Sequence, residues 1–176
     1  MHNDRDLVLK SIQKAVSSKE IDKEIDTLDS SFEIEHYYAF ENKISELQIA
    51  CKNLDIFLFI HDDENTIQES IRSYLQALDP KESYGITGCL AICSRTATLL
   101  FDSSKNRIES IQPDHHIVVA DSKQLYPNLI DLFHKIDLEK YSMFTFTTGA
   151  SRTADIEKTL VKGAHGPKSL AIFLQK

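Results

Sequence analysis

Gly149-Ala-Ser-Arg-Thr-Ala-Asp-Ile-Glu157 gathers two hydroxyls, one guanidinium and two carboxylates behind a glycine. Arg152 presents a planar fork of N–H donors that matches a carboxylate or a phosphate, and Ser151 and Thr153 can donate to the same ligand or cap a helix. An apolar stretch, Met143 to Thr147, leads into this loop, and a short helical pattern is expected from Ala154 to Leu160. A helix starting there would aim unpaired backbone N–H groups at an anion. Spacing alone leaves two readings open, an anion-binding loop and an ordinary capped helix start. Asp155 and Glu157 could act as acid or base, or could complement the helix dipole. His165, between Gly163 and Gly166, could titrate near neutral pH or make a structural hydrogen bond to backbone.

These groups need a frame to hold them, and the pattern of the chain supplies one. Val8, Ile12, Ala15 and Val16 follow helical spacing, and a polar, acidic tether follows to residue 31. Further helices are expected around Ile44 to Leu54, Ile67 to Leu78 and Ser122 to Ile136, with Asp62, Asp63 and Asn65 as capping candidates for the second and Thr66 and Glu69 at capping-box spacing. Strands are expected at Asp55 to Ile60, Tyr84 to Cys93, Thr96 to Asp102, His116 to Ala120, Met143 to Thr147 and Leu170 to Leu174, with a turn at Ser103 to Asn106. Asp55-Ile-Phe-Leu-Phe-Ile60 is apolar without alternation, which suits a strand buried on both faces. Alternating strands and helices predict the α/β class, a largely parallel sheet flanked by helices, with a possible hairpin within residues 84 to 102. In such sheets ligands sit beyond the carboxyl ends of strands, where Gly149 to Thr153 and Gly85 to Gly88 are expected. His115 and His116 are adjacent in sequence, so in a strand they point to opposite faces.

The bulk numbers set limits. With 176 residues, 41% apolar and 27% charged, one well-buried core is the expectation: a helix and tether over 1–31, then a single α/β domain over 32–176. No apolar run approaches the roughly 20 residues of a membrane span. The charged amino terminus does not read as a signal peptide, and a cytoplasmic location is expected. Net charge is −7, yet residues 1 to 79 hold 8 basic and 17 acidic side chains and residues 80 to 176 hold 12 and 10. That distribution has no basic stripe for nucleic acid and favours a small anionic ligand in the second part. Cys51, Cys89 and Cys93 form no Cys-x-x-Cys pair, so buried thiols are expected rather than disulfides, a metal or a cluster. Neither a dinucleotide fingerprint nor a P-loop is present in the sequence.

With those residues named, the chain resembles the LUD-domain family. Gly149-Ala-Ser-Arg-Thr-Ala-Asp-Ile-Glu157 and Gly163-Ala-His-Gly-Pro167 are similar to its paired motifs Gly-Pro-Ser-x-Thr-Ala-Asp-Ile-Glu and Gly-x-His-Gly-Pro, with Ala150 in the place of a proline. Gly85-Ile-Thr-Gly88 resembles the family's glycine-containing strand start, and Pro113-Asp-His-His-Ile117 its Pro-x-x-His-Ile segment, which singles out His116. The resemblance runs from about Tyr84 to the end, and residues 1–79 share only the layout. Ser94-Arg-Thr-Ala-Thr98 departs from the family's Ala-Glu-Thr-Gly-Thr, so Arg95 replaces an acid and Ala97 a glycine.

The resemblance implies a fold related to CoA transferases and sugar-phosphate isomerases. It also implies a part in oxidising L-lactate to pyruvate, as a subunit with no cofactor of its own beside partner subunits that carry iron–sulfur clusters. Gly149, Ser151, Arg152, Thr153, Asp155, Glu157, His165, Gly85, Gly88, Thr96 and His116 are the candidate ligand contacts. A stand-alone transferase or isomerase for a small acid, CoA thioester or sugar phosphate, and a sensor of such an acid, remain the alternatives.

Overall fold

The computed structural model describes residues 10, 42–102, 110–154, 160–162 and 166–176. Backbone contacts divide the chain into Met1–Ala39 and Phe40–Lys176, and the architecture below is that of the second unit. The expected tether and its end at residue 31, the amino-terminal helix apart from Lys10, and the turn at Ser103–Asn106 lie outside the described residues.

Unbroken apolar runs become parallel strands because both of their faces are covered. β1 (Phe57–His61), β2 (Tyr84–Gly88), β5 (His115–Asp121) and β10 (Ser169–Gln175) form an all-parallel sheet in the order β1-β10-β5-β2. Side chains alternate across it. Phe59, Ile117, Ala171 and Phe173 pack with Ile67, Ile71 and Tyr74 of α2 (Glu64–Gln76). Leu58, Ile60, Val118, Leu170 and Ile172 pack on the other face with Leu47 and Cys51 of α1 (Lys43–Asn53) and with the second sheet. β10 is central and its Leu170, Ala171, Ile172, Phe173 and Leu174 are all buried, whereas β1 is an edge strand whose Phe57 is exposed. The expected strand buried on both faces is only half-buried from Leu58 to His61, with Phe57 exposed, because β1 stands at the edge of the sheet.

The second sheet has the order β6-β3-β4-β7, made of β3 (Ala91–Cys93), β4 (Thr98–Asp102), β6 (Leu125–Tyr126) and β7 (Phe144–Thr148). β3 and β4 are the antiparallel hairpin, β7 runs antiparallel to β4, and β6 runs parallel to β3. Ile92, Leu99 and Phe101 face the parallel sheet, while Ala91, Cys93 and Leu100 face Leu132 of α3 (Leu129–Lys135). The expected strand Tyr84–Cys93 is thus two strands in two sheets, separated at Cys89 and Leu90. Both sheets need the apolar residues of this stretch, and no straight strand can serve both.

The expected helix Ser122–Ile136 is also divided. Asp121 accepts from Lys123 N–H and Gln124 returns a bond to Asp121 N–H, closing a 3-10 turn at Ser122–Gln124. Leu125 then pairs with Ile92 in β6. Pro127 holds the preceding residue extended, and Asn128 caps a new helix by accepting from Asp131 N–H at 2.8 Å. α2 is capped by Asp63, one of the expected capping candidates, which accepts from Thr66 N–H at 3.0 Å. A further 3-10 turn, Leu138–Lys140, precedes β7. Among the described residues no helix is long and apolar enough to cross a membrane. Cys51, Cys89 and Cys93 are free, and burial pushes the Cys51 thiol up to about 12.

Candidate functional site

Gly149 turns the chain at the end of β7 with φ +78, a left-handed conformation that glycine adopts without strain. The loop it opens is clipped to the segment before β10. Ser151 N–H donates to the Pro167 carbonyl at 2.9 Å, and a Cβ at Gly166 would stand 3.3 Å from Ser151 Cβ. The two glycine-bearing stretches of the sequence therefore meet, and beneath them lies a cavity of about 290 Å³. Its wall comes from Phe146 to Ser151, from Gly166, Pro167 and Leu170, from Ser110 and Ile111, and from His116.

His116 is the second residue of β5 and is only 1% exposed. Its Nε2 shares a 2.8 Å hydrogen bond with Thr87 Oγ1, and its ring lies 5.3 Å from that of Phe101. Burial pushes its pKa down to about 4, so the imidazole is neutral at pH 7. At the end of β7, Thr148 Oγ1 is 2.7 Å from Thr98 Oγ1, which is 2.7 Å from Thr96 Oγ1. Among the described wall residues the polar groups are hydroxyls, backbone groups and a neutral imidazole, and none carries a charge. Among the described residues, no three of His, Cys, Asp and Glu gather as a metal-ligand group.

A family model described as the LUD domain matches residues 3–174. The chain belongs to the LUD-domain family. Lactate utilization protein C of Deinococcus radiodurans is 30% identical over 94 residues, which are 51% of this chain and 44% of that protein. Lactate utilization protein C of Halalkalibacterium halodurans is 32% identical over 80 residues, 42% of this chain and 35% of that protein. The match thus takes in less than half the length of either curated relative. The crystal structure of a DUF162 family protein from Deinococcus radiodurans superposes with a TM-score of 0.58 at 14% identity, covering 76% of this chain and 96% of that one. At that identity the likeness is one of fold.

The LUD domain brings Gly149, Ser151 and His116 to the cavity wall. Thr96 is set back from it, joined through the hydroxyls of Thr98 and Thr148. Gly85 and Gly88 are not in a loop beyond a strand: they lie inside β2, opposite His116 and Val119. Asp155, Glu157 and His165 fall outside the described residues. Thr153 lies in β8 (Arg152–Ala154), which pairs antiparallel with β9 (Leu160–Lys162). Both ends of the expected helix Ala154–Leu160 are therefore in strands, and the expected helix N-terminus gives way to a β-ladder in which Thr153 faces Val161.

Arg152 is not among the residues lining the cavity. Its Nη2 donates to the Leu54 carbonyl at 2.6 Å and to Asp55 Oδ2 at 2.9 Å, just past the end of α1. A cation there complements the negative end of the helix, and Arg152 is engaged in a surface ion pair with Asp55. The expected location is corrected too. The cavity lies at the amino-terminal ends of the parallel strands β5 and β10, because the Gly149 loop follows a strand of the other sheet. Arg95 is exposed in the β3–β4 turn, which is likewise absent from the cavity wall.

A neighbouring polar cluster at the same strand ends escaped the reading of the sequence. His115 joins Ser169 Oγ at 2.6 Å and Glu82 Oε2 at 2.7 Å, pointing away from His116 as alternation requires. Lys168 reaches Asp114 at 2.8 Å and Glu82 at 3.1 Å. The bonds from His115 and then Lys168 hold the Glu82 carboxyl below its ordinary range, and Lys168 and Ser83 do so for Asp114. Asp114 and Lys168 each immediately precede a parallel strand, a placement that could have signalled a clasp across strand starts.

Proposed function

We propose that this LUD domain is a component of an L-lactate utilization system, working with iron–sulfur partner subunits and holding a small carboxylic acid in the cavity beneath Gly149 and Ser151. The observation that supports this most is the family match across residues 3–174, joined by relatives that bear the name lactate utilization protein C. The wall is compatible with a monoanion. Ser110, Thr147 and Ser151 carry hydroxyls, and hydroxyl and backbone N–H groups donate to carboxylate oxygens.

A transferase or isomerase for CoA thioesters or sugar phosphates is the weaker reading. None of the described wall residues is a cation, and Arg152 is held by Leu54 and Asp55. A phosphate dianion taken from water needs such a partner.

The test is affinity purification of the tagged protein from its native host grown on L-lactate, combined with deletion of its gene. Co-purification of iron–sulfur subunits and loss of growth on L-lactate are expected. Recovery of the protein alone, with growth unchanged, would overturn the proposal in favour of a separate enzyme or sensor.

A further inference from the structure

In the second sheet β3 and β4 bury their apolar side chains, and β7 does not. β7 is the last strand in the order of that sheet, and its Phe146 lies opposite Leu100, which packs against Leu132 of α3. Phe144 and Phe146 alternate with Thr145 and Thr147, so their rings leave the sheet on the α3 face, away from the parallel sheet. There the Phe146 ring meets Phe133 of α3 with centroids 5.6 Å apart and Phe144 at 5.8 Å. Ile130 stands three residues before Phe133 on α3, at the spacing of neighbours on a helix surface. These side chains remain 44% (Ile130), 45% (Phe133), 38% (Phe144) and 37% (Phe146) exposed.

The four form one continuous apolar surface. Side chains of this size carry about 150–250 Å² each, so the exposed part comes to roughly 300 Å², the scale at which such patches mark interaction sites. Terminal strands are ordinarily guarded by a charge or a proline. Met143-Phe-Thr-Phe-Thr-Thr148 contains neither. A standard interface buries about 800 Å² on each partner, and in homodimers about 65% of it is apolar, or roughly 500 Å². This one surface supplies more than half of that apolar area. A different protein would need an apolar surface of matching size, whereas a second copy related by a two-fold axis presents the same one.

We propose that this surface is the docking site for a second copy of the chain, in a two-fold dimer where the Phe133, Phe144 and Phe146 rings of one protomer pack against the same rings of its partner. The surface faces away from the parallel sheet, so its test does not depend on the reading of the cavity.

Sedimentation equilibrium of the full chain from about 1 to 100 μM tests it, a range that covers micromolar dimers. A particle of twice the 20.0 kDa chain mass is expected. Phe133→Glu, and Ile130→Lys should the first variant fail to fold, are each expected to raise the dimer Kd at least about tenfold, because each puts a charge into a buried apolar contact. Tyr84→Glu, at a comparably exposed position on β2, is expected to leave the dimer unchanged. A monomer throughout the range would overturn the proposal. So would a dimer that neither variant weakens, or that Tyr84→Glu weakens as much. A monomer that co-purifies with iron–sulfur subunits, and loses them in both folded variants, would overturn it by assigning the surface to that partner.

Discussion

Arg152 and His116 show how position decides what a side chain can do. The Arg152 guanidinium satisfies the carbonyl that ends α1 and pairs with Asp55, which itself sits at φ 54. Arg152→Ala is expected to cost about 1 kcal/mol, a value limited by solvent screening of an exposed pair, and to leave ligand affinity unchanged. Urea unfolding read beside a binding titration checks this, and lost affinity at unchanged stability would return Arg152 to the site. His116 has the opposite character, buried and neutral. Its pKa falls from 6.5 to about 4 on folding. Above pH 6.5 it is neutral in both states; between 6.5 and 4 only the unfolded chain gains the proton, so stability falls as pH falls and the loss is complete below 4. The loss is expected to reach up to about 3 kcal/mol. His116→Gln is expected to flatten the urea midpoint between pH 6.5 and 4.5, whereas Glu82 and Asp114, with carboxyl pKa values lowered from 4.5 and 3.8, act from there downward.

Among the elements, the β3–β4 hairpin carries the sharpest constraint. Ala97 has φ 49 and is fully buried in the core between the sheets. The left-handed conformation costs an L-residue roughly 1–2 kcal/mol, which accounts for a glycine in the pattern that this stretch resembles. The buried methyl offsets part of that cost. Ala97→Gly is therefore expected to change stability by less than about 1 kcal/mol. Ala97→Val places a branched side chain at positive φ in a closed space and is expected to cost about 2 kcal/mol or more. Thermal melts of the two variants separate strain from packing, and equal losses would contradict the assignment.

For the molecule as a whole, β10 ties the layers together. Phe173 is fully buried, stacks on Phe59 with ring centroids 4.6 Å apart, and meets the edge of Tyr74 at 5.9 Å. Its neighbours Ile172 and Leu174 face the core shared with the second sheet. Phe173→Ala is expected to cost about 3–5 kcal/mol and to lower the midpoint of a single unfolding transition. A loss confined to α2, with the sheets still protected from hydrogen exchange, would show that the two faces of β10 unfold independently. The same strand carries Leu170 to the cavity wall, so a fully buried central strand also supports the site.

The α/β class, the existence of the helices around Leu47, Ile67 and Leu132, and the burial of the apolar run Leu170 to Leu174 in a strand were legible in the sequence, because apolar patterning reports directly on which residues leave water. So was the stretch around Gly149, whose small residues mark a tight chain approach, and the opposed directions of His115 and His116. Tertiary structure alone decided the rest. Periodicity carries no information about partners, so it could not divide residues 84–93 between two sheets, recruit Leu125 into a strand, or pair Arg152–Ala154 with Leu160–Lys162. Nor could it turn Arg152 toward Leu54 and Asp55, which are 98 and 97 residues away in sequence. The cavity followed from the same non-local pairing: His116, Gly149 and Gly166 became neighbours once β5 and β10 lay side by side and the loop after β7 crossed their amino-terminal ends.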